Sequence, residues 1–404
     1  MQQEWTNWSG SLRFTPGSTE TPSDEEELAQ LVCRAASDGR TVRAAGAGHS
    51  SSPLVQTEDI LVSMERFRGV EHHDPGAREV TVKSGMMLRE ANRAFLDLGL
   101  ALENLGDVDL QSLVGAIGTG THGTGRRFHI LSHHLIGGRL VNGRGEIVEF
   151  PMERDSEFVL AARVALGALG IFTALRLRLV PAFRLHRREW CAHIEDCLAD
   201  LDRLIEENRN FDFYWYPRSD EAKLRTLNFP EEDQKTTIPY ARCVKEMSGW
   251  SGEVIPRQRE LRFDEIEFFF PAEAGPRCFR EVRKRVKARH RKSVGWRVLY
   301  RTIAADNAYL SGAHSRDSVT ISLHQNNTLP YDEYFRDIEH IFRDYGGRPH
   351  WGKKHYLKAG DLRPLYPMWD RFLELRQRMD PEGVFLNPYL SELLGCGRTA
   401  PLHA

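Results

Sequence analysis

Two glycine-dense turns restrict this chain more than any other feature: AAGAGHS at Ala44–Ser50 and GTGTHG at Gly118–Gly123. The first follows TVRA, which alternates as a short strand and stops at the turn Gly46–Gly48. A tight turn directly after a strand points backbone N–H groups at a phosphate and leaves the His49 imidazole facing whatever is bound. Taken by itself, a histidine in such a place is more often a surface or turn-stabilising residue. The second turn matches G-x-G-x-x-G, but that fingerprint needs a strand before it and a helix opening at the glycines. LQSLVGAI reads as a weak strand, and RRFHILSHH is not an evident amphipathic helix. The better reading is a glycine-dense backbone that approaches a large flat cofactor, since glycine offers amide donors without side-chain obstruction.

Around these turns the pattern mixes both element types. Ser23–Gly39 reads as a helix with an acidic first turn, apolar Leu28, Leu31 and Val32 at helical spacing, and Gly39 as its stop. ILVSM and VTVKSG read as strands, followed by a helix over Leu88–Leu98 and strands at LIGGRLVN and GEIVEF. Phe158–Val180 reads as helix, glycine-rich turn and the strand IFTALRLRLV, with Pro181 as a boundary. Beyond it come longer elements: the strand FDEIEFFFP, a basic helix over Glu281–Arg291, and VTISLHQ followed by a helix after Pro330. RPHWGKKHYL to DPEGVFLNPYL has the Pro and Gly spacing of an ordered tail packed back on a domain. No internal repeat or low-complexity tract interrupts the 404 residues, a length that suggests two domains in close contact.

Charge narrows the function classes. With 55 basic against 57 acidic residues the formal net charge is −2, so no global field draws the chain to nucleic acid or an anionic membrane. The run Arg283–Lys292 is the exception. It lacks interleaved aromatics and reads as a solvated helix face. The start MQQEWTNWSG shows no secretory signal pattern, and the apolar run Phe158–Leu179 is broken by Arg163, Arg176 and Arg178, so a cytoplasmic protein without membrane contact is expected. The six cysteines form no C-x-x-C pair, and no metal site is expected.

Taken together, NWSG, RAAGAGHS, ALENLGDVDLQSLVGAIGTGTHGTG, LGALGIFT, RPHWGKKH and FLNPYL make the chain resemble the aldonolactone oxidase and alditol oxidase group of the vanillyl-alcohol-oxidase-type flavoproteins, from about Trp5 to about Leu394. The resemblance implies an α+β, two-domain fold of the vanillyl-alcohol-oxidase (PCMH) type. Residues 1–180 would form an FAD-binding domain, 181–345 a substrate-binding cap, and 346–404 a segment returning to the FAD domain. It implies that Ala44, Ala45, Gly46, Ala47, Gly48, His49 and Ser50 form the pyrophosphate loop, with His49 as the covalent histidyl link to the flavin 8α-methyl. Ser112, Gly115, Ala116, Ile117, Gly118, Thr119, Asp107 and His122 would line FAD, Ile171 its adenine side, and His350 the flavin. No cysteine falls between Gly106 and Gly125, so one covalent link is expected. Lys353 and Arg301 match the family's cations at flavin N1 and C2=O, where negative charge gathers on reduction. Gly106 falls at the position that gates oxygen access.

The chain also departs from the family pattern. Where Glu-x-Arg is usual it reads Leu299-Tyr300-Arg301, so the carboxylate that binds a substrate hydroxyl is expected to be missing. Ser322 and His324 stand where alditol oxidases place His and Thr, and Asp107 where they place Ser. His324 is expected to assist removal of the hydroxyl proton, and Asp107 either to bind a substrate hydroxyl or amino group or to cap its loop. The expected activity is FAD-dependent oxidation of a CH–OH group of a polyol, sugar, sugar lactone or related amino- or cyclitol-type substrate. Dioxygen would be the acceptor and hydrogen peroxide the co-product, in a monomer or homodimer. Two alternatives stay open: a dehydrogenase of the same substrates using a quinone or protein acceptor, and a flavin-binding protein without catalysis.

Overall fold

A computed structural model of the chain describes residues 3–150, 156–233, 237–256 and 260–398. Helix α1 (Glu25–Ser37) buries Leu28, Leu31, Val32 and Ala35 on one stripe. The Asp24 side chain accepts from the Glu27 amide, and Glu25, Glu26 and Glu27 set negative charge against the positive end of the helix dipole. The buried stripe packs on a small parallel sheet of Ser18–Glu20, β1 (Val42–Ala45) and β2 (Ile60–Ser63), in which β2 is central. An antiparallel five-stranded sheet lies beside it, in the order Ile147–Phe150, Leu135–Val141, Ile171–Arg178, Glu79–Lys83, Val70–Asp74. Helix α2 (Leu88–Asp97) buries Leu88, Ala91 and Phe95.

The run LQSLVGAI, expected as a weak strand, contains instead the short helix α3 (Leu113–Gly118). Its buried residues Leu113, Ala116 and Ile117 fall at helical spacing, and Gly46 in the turn after β1, lacking a Cβ, lets that turn close on the helix's N-cap residue Ser112. A Cβ built on Gly46 would stand 2.0 Å from Ser112 Oγ.

The second half is dominated by one eight-stranded sheet. Its strands are β3 (Arg184–His193), β4 (Asn210–Tyr216), β5 (Glu221–Asn228), β6 (Arg242–Trp250), β7 (Phe263–Pro271), β8 (Val298–Ile303), β9 (Ser318–Asn326) and β10 (Arg348–Pro349), in the spatial order β6-β3-β5-β4-β8-β9-β7-β10. Helices α4 (Gly275–Arg285) and α5 (Asp332–Asp344) pack together and bury Phe279, Phe335 and Phe342. The basic helix expected over Glu281–Arg291 begins earlier, at Gly275, and continues past Arg285 as a π-helical turn over Val286–His290. Its cations are ion-paired rather than merely solvated: Arg283 and Lys287 with Asp220, Arg285 and His290 with Asp337. Phe158–Leu179 folds as the helix Glu157–Ala162, a turn and the strand Ile171–Arg178. Among the described residues no helix is long and apolar enough to cross a membrane.

The carboxyl-terminal segment packs onto the first sheet. Val42 donates its amide to Val384 O at 2.9 Å, and Asn387 Nδ2 donates to Pro53 O and Gln56 O. The buried Arg43 guanidinium donates to the carbonyls of Leu54, Leu166, Gly167 and Phe385, which ties three segments to one side chain.

Candidate active site

Two adjoining cavities lie between the sheets. The larger, about 340 Å³, is lined by Ala44–Ser50, Ser112, Gly115–Thr119 and Ile171. The loop after β1 is oriented by its carbonyls: Gly48 O accepts from the Trp8 amide at 2.7 Å and Ser50 O from Asn7 Nδ2 at 3.0 Å. Among the described residues the amides of Gly46–Ser50 have no protein acceptor, so this stretch lines the cavity with unpaired N–H donors suited to a pyrophosphate. Gly48 lies at φ +67°, a left-handed conformation that favours glycine.

The smaller cavity, about 90 Å³, brings together Gly106, Asp107, Thr119, His122, Arg301, His324, His350 and Lys353. His49 and Ser50 border both spaces. The His49 ring stacks on Trp8, with centroids 5.2 Å apart. Burial, with Lys353 adding to it, pushes the His49 imidazole down to about 4, so the ring is neutral and nucleophilic near neutral pH.

Carboxylates are present after all. Glu265 and Glu267, two apart on β7 and so on one face, both line the small cavity. The apolar Leu299 therefore does not leave the site without acid groups. Each carboxylate gathers a cation and a histidine. Glu265 accepts from Lys353 Nζ and Ser322 Oγ, and His324 Nε2 lies 3.4 Å from its Oε1. Glu267 accepts from Arg301, and His122 Nε2 lies 3.3 Å from its Oε1. Burial opposes ionisation of both acids, but Lys353 and His324 prevail and hold Glu265 at about 2, while Arg301 and His122 hold Glu267 well below the usual range. Burial and Lys353 push His350 down to about 3, with Glu267 opposing. Asp107 is tied to Arg225 at 2.9 Å and accepts from Tyr214 Oη.

Ligand atoms of His122, Glu267 and His350 lie within 4.8 Å of one another, a spacing that could hold a metal ion. Arg301 already supplies the positive charge that Glu267 requires. Glu267 Oε2 and Arg301 Nε, both buried, have no hydrogen-bond partner among the described residues. Such atoms are costly unless a polar ligand meets them.

The chain matches the family model described as D-arabinono-1,4-lactone oxidase over residues 175–247 and 234–393, and that of an FAD binding domain over 17–151. It is 36% identical over 431 aligned positions to L-gulono-1,4-lactone dehydrogenase of Mycobacterium tuberculosis, covering 98% of this chain and 100% of the relative. It is 26% identical to L-gulonolactone oxidase of Scyliorhinus torazame, covering 97% and 98%. The fold superposes on cholesterol oxidase from Brevibacterium sterolicum with a TM-score of 0.85 at 16% identity, over 98% and 97% of the two chains.

Proposed function

The chain belongs to the aldonolactone oxidase family of FAD-dependent oxidoreductases, and from that premise we propose that it oxidises a CH–OH group of a sugar lactone or closely related polyol. The observation that carries this reading is the pairing of Lys353 and Arg301 with Glu265 and Glu267 beside the donor-lined loop. Residues 1–180 and 346–404 form the FAD-binding part and 181–345 the cap; the first two and last six residues lie outside the described structure.

Ala44–Ser50 would hold the pyrophosphate, Ser112 and Gly115–Thr119 would line the cofactor, Ile171 would touch its adenine side, and His49 would be the covalent tether. Bound FAD would supply the hydride acceptor and, with dioxygen as the final acceptor, hydrogen peroxide would be the co-product. Lys353 and Arg301, which share the small cavity with His122 and His350, would supply fixed positive charge to stabilise the reduced flavin. The His324–Glu265 pair takes the hydroxyl proton. His324 Nδ1 donates to Arg297 O at 3.2 Å, which leaves Nε2, 3.4 Å from Glu265 Oε1, as the ring atom that would take the proton, with the Glu265 carboxylate beside it to stabilise the imidazolium formed. Asp107, fixed by Arg225 and Tyr214, lines the small cavity and would accept from a substrate hydroxyl there.

Anaerobic bleaching of the flavin band by a panel of aldonolactones, alditols and free sugars tests this reading. Lactones should bleach the wild type, and His324→Ala should slow the bleaching by about 10²-fold or more. Bleaching by none of the panel sinks the substrate class, and an unchanged His324→Ala sinks that residue's role.

That the 36%-identical relative is a dehydrogenase favours a second reading, transfer to an acceptor other than oxygen. Rapid reoxidation of the reduced enzyme by oxygen, slowed in Gly106→Ala, would decide for the oxidase. A Cβ at Gly106 meets His122 O and Thr121 Cγ2 at 3.3 Å, so the added methyl presses directly on the cavity wall.

A further inference from the structure

The face of the large sheet that bounds the small cavity is a grid whose residues can be read from the strand register. Glu267 pairs with Ser322, Ser322 with Leu299, and Leu299 with Tyr214, so these four side chains stand on one face across four strands. Along β7 the neighbour toward the amino terminus is Glu265, paired with His324. Along β8 the next residue on this face is Arg301, paired with Asp212 on one side and Thr320 on the other. Arg297 lies two residues before Leu299, with its guanidinium 3.8 Å from the Tyr214 ring centroid. Each of these neighbours of Leu299 therefore carries a charge, a hydroxyl or an imidazole, whereas Leu299 can neither donate nor accept.

Leu299 is 3% exposed, yet it lines the cavity beside Glu265, Glu267, Arg301 and His324. Polar capacity is left over on one flank, at Glu267 Oε2 and Arg301 Nε. The site thus offers hydrogen bonds on the Glu267 and Arg301 side and an apolar contact at its middle. A substrate hydroxyl placed against the leucine would lose its hydration without gaining a partner.

We infer that Leu299 selects a substrate bearing hydrogen or a methyl group, rather than a hydroxyl, at the carbon that faces it: a deoxy sugar lactone or deoxy polyol. This rests on the lactone reading and narrows it. The discrimination is modest in size. An apolar pocket rejects an added hydroxyl by about 10²-fold at most, whereas a site built to bind a hydroxyl rejects its loss far more strongly. The leucine therefore gives a preference for the deoxy compound, and the neighbouring carboxylates give the absolute demand for the remaining hydroxyls.

Matched pairs test it: L-galactono-1,4-lactone against its 6-deoxy form L-fucono-1,4-lactone, and D-ribono-1,4-lactone against 2-deoxy-D-ribono-1,4-lactone. Two quantities are read for each, kcat/KM from steady-state turnover and Kd from the dependence of the anaerobic flavin-reduction rate on lactone concentration. In one pair the deoxy member should be preferred by about 10-fold to 10²-fold in both quantities. Leu299→Gln, which adds a donor and an acceptor at similar size, should erase or invert that ratio. Leu299→Met, polar in neither sense, should keep it and shows that the position tolerates change. If lactones reduce the flavin but no pair favours its deoxy member, or Leu299→Gln leaves the ratio as it was, the inference about Leu299 is wrong while the lactone reading stands. If no lactone reduces the flavin, the lactone reading itself has failed and this one falls with it.

Discussion

At the scale of single residues, the feature with the largest consequence is that neither Lys353 nor Arg301 stands alone in the small cavity. A lysine and an arginine beside a flavin would together raise its potential strongly, but Glu265 neutralises most of the Lys353 charge and Glu267 most of the Arg301 charge. In the proposed site the net field at the flavin would thus be a small difference between large terms, and removing one carboxylate should unbalance it. Replacing Glu265 by Gln keeps the shape and leaves Lys353 uncompensated, so the two-electron flavin potential should rise by roughly 30–60 mV, one to two powers of ten in the equilibrium. Spectroelectrochemical or dye-equilibration titration of the purified protein measures this without any substrate. A potential unchanged within about 10 mV, on a scale of 29.6 mV per tenfold, would mean that the Lys353 ammonium does not sense the flavin.

At the scale of elements, most of the organisation was legible because it is local. The acidic first turn and apolar stripe of α1, the strand-then-turn at β1, and the period-two strand Ile171–Arg178 each declare themselves within a dozen residues. Helix α3 did not. Six residues containing two glycines carry little propensity, and the helix exists because its small side chains fit against the turn after β1. Glu265 and Glu267 were passed over for the opposite reason. FDEIEFFFP was readable as a strand, but only the pairing of β7 with β9, and the return of the chain at Lys353, place its carboxylates in the cavity. The resemblance at Leu299 pointed to a lost acid, while the acids that serve the site come from another strand. The contact between α3 and the turn yields its own test. Gly46→Ala would drive a methyl into Ser112 Oγ and displace the donor loop, so the protein should fold yet retain little FAD, as read from the ratio of flavin to protein absorbance. His49→Ala should bind FAD but release it on denaturation, leaving the denatured band without flavin fluorescence. A fluorescent His49→Ala band would place the tether elsewhere.

At the scale of the whole molecule, the polar interior that serves the site also ties stability to pH. His350 is held near 3 and His355 near 4, both mainly by burial, against 6.5 for the free side chain. In the folded protein both rings are neutral at pH values where the unfolded chain already binds a proton, so stability is complete above about 6.5 and falls as the pH drops toward their folded values. Glu265 and Glu267 act in the next window. Their folded values lie below 4.5, so their contribution is complete above that pH and is lost as acid protonates Glu265 toward about 2 and Glu267 well below the usual carboxylate range. The two windows abut, and the Tm should decline from pH 6.5 downward without a plateau, long before the surface carboxylates titrate. His355 offers the cleaner dissection, because it packs against Trp351 and Tyr389 and does not line the small cavity. In His355→Gln the group that must stay neutral is gone, so the Tm should lie below wild type at pH 7.5 from lost packing but fall less steeply between pH 6.5 and 4. Calorimetric scans of both proteins across that range measure the slopes directly, and parallel slopes would show that the burial of this ring is not what couples the fold to acid.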